Sequence, residues 1–251
     1  MQSSPSPFQG RVLRVLLILL SVDALFVALH LVLRALQVFD LVEGVPPSLS
    51  LFGDYGPSER FNHVKWLAVA GMLLLMFRRD RTPVHLVLGL MFLLVFADDA
   101  LMLHERGSSA LLRIWPSVPS FGLNPHTASE LYVWAAMGSV VGPALLWALL
   151  RTDRGGWKTL RYVGIGFIGL VFSAVVIDAS QEMFDWIANP SLRYWVRYAL
   201  TVAECAGEAA SASVIAAATV ALLPVTTSRG LAGGLAAGQG TAPLSGLRET
   251  P

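Results

Sequence analysis

Apolar residues along this chain gather into long runs broken by short polar stretches, rather than into the short alternations that mark half-buried strands. Runs of this length are the pattern of membrane-crossing helices, which need about 20 predominantly apolar residues each. Six are predicted. The first covers 12–38 and is interrupted by Asp23, His30 and Arg34, which share one face at helical spacing. Arg11 and Arg14 precede it as they would a signal peptide, but the run continues past Leu33 without a small-x-small cleavage site, so it reads as a retained helix. The second covers 61–77, carries His63 and Lys65 in its first turn, and stops at Arg78-Arg79-Asp80-Arg81. The third opens after Pro83 and carries Asp98, Asp99, His104 and Glu105 at its far end.

Thr127-Ala-Ser-Glu130 reads as a capping box, in which Thr127 and Glu130 satisfy each other's backbone NH, and starts a fourth helix that runs to about residue 150. The fifth covers 160–184 and ends with Asp178 and Glu182 one turn apart. After Asn189-Pro190-Ser191 the sixth covers 193–223, with Glu204, Glu208 and Ser211 along one stripe. Gly207 and the row Ala206, Ala210, Ser213 and Ala217 are small enough to admit neighbouring backbones, so this helix is predicted to be the most enclosed. The fold class is therefore all-α, a polytopic transmembrane bundle of six helices over 11–224. The Pro/Ser-rich segment 1–10 and the Gly/Ala/Ser/Thr-rich segment 225–251 are expected to be disordered tails.

Composition agrees with this pattern and narrows the function classes. The 251 residues are 55% hydrophobic and 14% charged, and a formal net charge of +1 leaves no basic face for nucleic acid. One cysteine, Cys205, excludes an intrachain disulfide framework and a Cys-rich zinc site. Lys and Arg set the orientation, because cytoplasmic connections are enriched in them. With the N-terminus inside, eleven of the eighteen fall in inner segments and seven at outer ends, so both termini are expected in the cytoplasm, with the chain in the inner membrane.

That topology draws the acidic residues to one depth. His30, Asp98, Asp99, His104, Glu105, Asp178 and Glu182 lie toward outward-running helix ends, and Glu130, Glu204 and Glu208 toward inward-running beginnings. A charged side chain inside a bilayer costs at least about 2.5 kcal/mol, so intramembrane acids call for partners or a task. Negative charge near a helix C-terminus is also disfavoured by the macrodipole. The plain alternative is interfacial pairing with Arg34, Lys65, Arg106, Arg193 and Arg197, which suits Glu105 beside Arg106; capping accounts for Glu130, and His63 and His126 fit loop or interface positions.

A divalent metal is the natural counter-charge. Carboxylates with imidazole suit Zn, Mn or Fe, drawn from Asp98, His104, Asp178, Glu182, Glu204, Glu208 and His30, with Asp99 as general base. On an ideal helix His104 points about 120° from Asp98, so the two meet only if the helix is distorted. The Glu-x-x-His pattern of ferritin-like di-iron proteins is absent, and no His follows His126 to supply the late His pair of ceramidase-like membrane hydrolases. The run from Asp99 to His104-Glu105 and the later pairs Asp178/Glu182 and Glu204/Glu208 resemble a motif of uncharacterised bacterial multi-pass membrane proteins, a resemblance that covers mainly helices three, five and six and implies no activity. The expected function is an outward-facing metal site, with hydrolysis of a lipid-like substrate as its activity. Two alternatives stay open: proton or cation transport, and a non-catalytic subunit of a larger membrane complex, including a haem protein using His30 and His104.

Overall fold

The structure is a computed structural model and describes residues 7–52, 56–184 and 186–223, with the backbone but not the side chains of Pro7, Pro47 and Glu182. The tails expected over 1–10 and 225–251 lie outside the described residues, except that residues 7–10 are helical. All regular structure among the described residues is helical: α1 (Pro7–Val38), a 3-10 turn at Pro47–Leu49, α2 (Pro57–Asp80), α3 (Pro83–Leu101), α4 (Leu103–Ile114), α5 (Pro125–Leu150), α6 (Arg154–Val171), a π-helical turn over Phe172–Ile177, α7 (Asp178–Glu182) and α8 (Pro190–Leu222). Proline at the first turn of α2, α3, α5 and α8 sets their starts, where its missing NH would have no intrahelical partner anyway.

Five stretches are long and apolar enough to cross a membrane: Phe8–Val38, Pro83–Leu101, Pro125–Leu150, Arg154–Gln181 and Pro190–Leu222. The chain is a membrane protein on that ground. α2 is as long as the others but carries Glu59, Arg60, His63 and Lys65 in its first turns. It lies against α3 and α8, and Trp66, Val69, Ala70 and Leu73 put its apolar face in the core beside Phe92 and Ile215. α8 is the most enclosed of the five apolar helices, 56% of its most apolar window being buried against 6% for α5. The small residues explain this. A Cβ on Gly207 would collide with Ser173 Oγ, and one on Gly166 would meet Ile215 at 2.5 Å, so α8 and the α6–π segment approach too closely for larger residues there.

Asp23 on α1 is buried and pairs with Lys65 of α2 at 2.9 Å; Lys65 also donates to the Ala209 carbonyl at 2.9 Å and to Ser213 Oγ at 3.2 Å, and Ser213 donates to Asp23. Three helices are pinned by one satisfied ion pair, so neither Lys65 nor Asp23 serves the acidic group farther out. At the opposite end, His85 bridges Asp80 at 3.0 Å and Thr159 at 2.9 Å, tying α3 to the end of α2 and to α6.

Three local expectations are corrected. The third predicted helix does not run through Glu105: it ends at Leu101, Met102 adopts a left-handed conformation (φ 51°), and a short amphipathic helix α4 starts in a new direction. The fourth does not begin with a Thr127/Glu130 capping box; Asn124 caps it, accepting from the His126 NH at 2.9 Å, and Glu130 pairs with His126 at 3.0 Å. The fifth begins six residues earlier than read, capped by Asp153, and a π turn interrupts it just before Asp178.

Candidate functional site

The break at Met102 makes the site. Asp98, three residues before the end of α3, accepts from the His104 backbone NH through Oδ1 at 2.9 Å and meets His104 Nδ1 with Oδ2 at 3.0 Å. A carboxylate that would sit badly at a helix C-terminus thus serves the N-terminus of α4, where the dipole favours it. The imidazole that an unbroken helix would turn away is brought onto Asp98, and His104 stacks on Trp134 of α5 with ring centroids 5.5 Å apart. Burial opposes charging of His104, but the hydrogen bond and charge of Asp98, with Glu130 and Glu105 nearby, outweigh it and hold its pKa above the ordinary value. With Nδ1 directed at Asp98, Nε2 is left toward the cavity, 4.0 Å from Glu105.

That cavity occupies about 680 Å³ between α3, α5, α6 and α8, within the range of small-molecule sites. Its polar end is lined by Asp98, Asp99, Glu105, Glu130, Asp178, Glu204 and Glu208, with His104 and Asn62. Its other end is apolar, with Met91, Val141, Leu145, Phe167 and Leu170. No Lys or Arg among the described residues lines it. Glu204 takes a hydrogen bond from the Gln181 amide at 2.7 Å, and Gln181 accepts from Thr201 at 3.1 Å. Glu208 is partly buried and faces the cavity, and it has no hydrogen-bond partner among the described residues.

A second group lies on the α2 side of the same end. His63 Nε2 is 3.3 Å from Asp99 Oδ2 and 3.7 Å from Glu59 Oε1, and it is a buried nitrogen without a hydrogen bond. Glu59, His63 and Asp99 are the one trio among the described residues whose ligand-type atoms all lie within 4.8 Å of one another. For a tetrahedral ion bound at about 2.0–2.1 Å, neighbouring ligand atoms stand roughly 3.4 Å apart, close to both distances. This group was not legible in the sequence, where His63 reads as an interface residue and Glu59 carries no signal.

The predicted site residues, the ligands together with the general base Asp99, therefore separate. Asp98, Asp99, His104, Asp178, Glu204 and Glu208 share one cavity. His30 does not belong to it: its Nδ1 accepts from the Leu51 NH at 3.0 Å, its Nε2 meets the Tyr198 hydroxyl at 3.1 Å, and it packs on Phe52. Both nitrogens hold the 39–52 connection to α8, which leaves none for a metal or haem. The Glu182 side chain lies outside the described residues.

Among known proteins, residues 12–223 match a family described as "Domain of unknown function (DUF8692)". No curated protein and no solved structure matches the chain.

Proposed function

The chain belongs to that family of unknown function, so its activity has to be argued from its own side chains, and we propose that it is a six-span membrane protein with an outward-facing, divalent-metal-dependent hydrolytic site for lipid-like substrates. α2 is the sixth span. Its 24 residues rise about 36 Å, more than the ~30 Å hydrocarbon core, and its polar first turns face protein, Lys65 being buried and His63 half-buried. Arg78, Arg79, Arg81, Arg151, Arg154 and Lys158 gather at the end of the bundle opposite the acidic cavity. The bias of Lys and Arg toward cytoplasmic connections then places that end inside and the cavity outside, with the inner membrane as its location.

The observation that carries the reading is the Glu59–His63–Asp99 trio, whose His63 Nε2 makes no hydrogen bond and whose Asp99 lines a cavity holding six further carboxylates. Three protein ligands leave a fourth position open, the arrangement of catalytic rather than structural zinc. The ion supplies a Lewis acid and a water of lowered pKa. Asp99, read from sequence as the general base, becomes a ligand. The proton-transfer role passes to His104, which Asp98 holds in one tautomer and orientation with Nε2 toward the cavity, as a carboxylate does in any base–orienter pair. The apolar end of the cavity accommodates the hydrocarbon part of a substrate.

Transport is less well supported, because beyond the acidic end the cavity walls are apolar and the next polar group, Asp23–Lys65–Ser213, is closed on itself. Nothing in the site specifically favours a purely structural subunit. The test is release of a fluorescent long-chain ester or amide by the purified full chain. Turnover should vanish with a chelator, return with Zn or Mn, and fall at least about a hundredfold in His104→Ala, the usual worth of a general base. Turnover unaffected by chelator would refute the metal.

A further inference from the structure

The cavity has two features that metal chemistry alone does not need, an apolar limb and a side opening. Although α5 and α6 are consecutive, among the described residues α5 packs on α3 and α4 and α6 on α3 and α8, and the two do not pack along each other. α3 forms the back wall of the slot they leave. Gly138 and Gly142 of α5 and Val171 of α6 line the cavity and are exposed, so they form the rim of that slot. Neither glycine has any atom within 4 Å of where a Cβ would stand, so these small residues are not packing a neighbouring helix; they hold space open. The slot faces the hydrocarbon, since α5, although it contacts α3 and α4, is the least enclosed of the five apolar helices.

The limb has the depth of one leaflet. From Trp134, which stacks on His104 at the acidic end, to Leu145 at the apolar end, α5 advances eleven residues. That is a rise of about 16 Å, half of a ~30 Å hydrocarbon core. At the top of the limb stands Glu208, partly buried, facing the cavity and lacking a hydrogen-bond partner among the described residues, with Glu204 one turn away on the same wall. A carboxylate at this depth of the bilayer is costly unless it is given a partner, and the Glu59–His63–Asp99 trio includes neither Glu204 nor Glu208.

We propose that the cavity binds a single-chain amphiphile with a primary-amine head, which slides in from the outer leaflet between α5 and α6, lays its chain along Gly142, Val141 and Phe167, and sets its ammonium against Glu208 and Glu204. This rests on the function proposed above only for catalysis, where such an amine is the product released when water cleaves a long-chain amide, the acyl carbon keeping the hydroxyl and the nitrogen taking the proton; binding does not depend on it. An anionic or zwitterionic head would bring negative charge against seven carboxylates; a neutral hydroxyl head could donate a hydrogen bond but would bring no positive charge to the acidic wall.

The experiment measures binding of tetradecylamine, tetradecanol and butylamine to the purified full chain in nanodiscs, with bound metal assayed on the same samples. The expected result is one tetradecylamine per chain, bound at least about tenfold tighter than either comparator. Gly142→Leu, whose Cβ meets no atom within 4 Å, should weaken tetradecylamine about tenfold or more while leaving metal content and thermal midpoint as in the wild type. Gly138→Leu repeats the test from a second position. Glu208→Gln should weaken the amine and leave the alcohol unchanged. Equal affinity for tetradecanol, or indifference to Glu208→Gln, overturns the head-group assignment, and indifference to both glycine variants overturns the slot. Amine binding by protein that carries no metal would leave this inference standing and refute the metal site; metal without amine binding would do the reverse.

Discussion

Asp98 shows how one residue can resolve two electrostatic problems. Its carboxylate is removed from the unfavourable end of α3 and given to the favourable start of α4, and it fixes the His104 ring that faces the cavity. Because the pKa of His104 is held above its ordinary value, the pair's contribution to stability is fully present below about pH 6.5 and is lost as pH rises through the raised value. Thermal midpoints of wild type and His104→Gln should therefore differ most near about pH 5.5 and converge toward alkaline pH. A gap that widens with pH would show that the imidazole is not held charged by Asp98. Deeper in the bundle, Lys65→Ala leaves Asp23 buried without its partner and should destabilise by about 3–5 kcal/mol. The double variant Asp23→Leu/Lys65→Met should recover most of that loss, as read by unfolding in mixed detergent.

At the scale of the elements, glycines divide into two kinds by what surrounds them. Gly207 and Gly166 sit where α8 meets the α6–π segment, so Gly207→Val or Gly166→Val should destabilise by about 1–3 kcal/mol through overpacking. Gly138 and Gly142 face open space, and the same change there should be close to neutral in a thermal melt. The enclosure of α8 was legible from its row of small residues, because helix packing in lipid depends on local side-chain size. The end of α3 was not legible. No Gly or Pro stands at Met102, and a left-handed Met is held there by the Asp98–His104 contacts that its own bend creates. The start of α5 was misread for a related reason: Thr127-x-x-Glu130 matches a capping box, but Asn124-Pro125 provides an N-cap and a first-turn proline just upstream, which frees Glu130 for the cavity. The trio Glu59–His63–Asp99 needs α2 laid against α3, a tertiary fact that spacing within either helix does not carry.

For the whole molecule, separation of charge along the bundle axis is the organising feature. Acids line a cavity at one end, basic residues crowd the helix ends at the other, and the closed Asp23–Lys65–Ser213 group stands apart from both. The five apolar helices were evident in the sequence pattern, and the clustering of most acids on one cavity followed from their common depth. His30 shared that depth but not that place, since depth says nothing about which side of a helix bundle a residue occupies. If α2 is a sixth span, cysteines introduced at Ser50 and at Arg81, on either side of it, should be labelled from opposite faces of the membrane, and tags at the two termini should be protected together. Tags protected on opposite faces would mean five spans.

The most direct measurement is the metal content of the purified full chain by elemental analysis, compared for wild type, His63→Ala, Asp99→Asn and His30→Ala. The account predicts about one divalent ion per chain in wild type and in His30→Ala, and loss of at least about tenfold in affinity for His63→Ala and Asp99→Asn. A wild type without metal after growth and reconstitution with Zn, Mn or Fe, or metal retained equally in all four proteins, would contradict it.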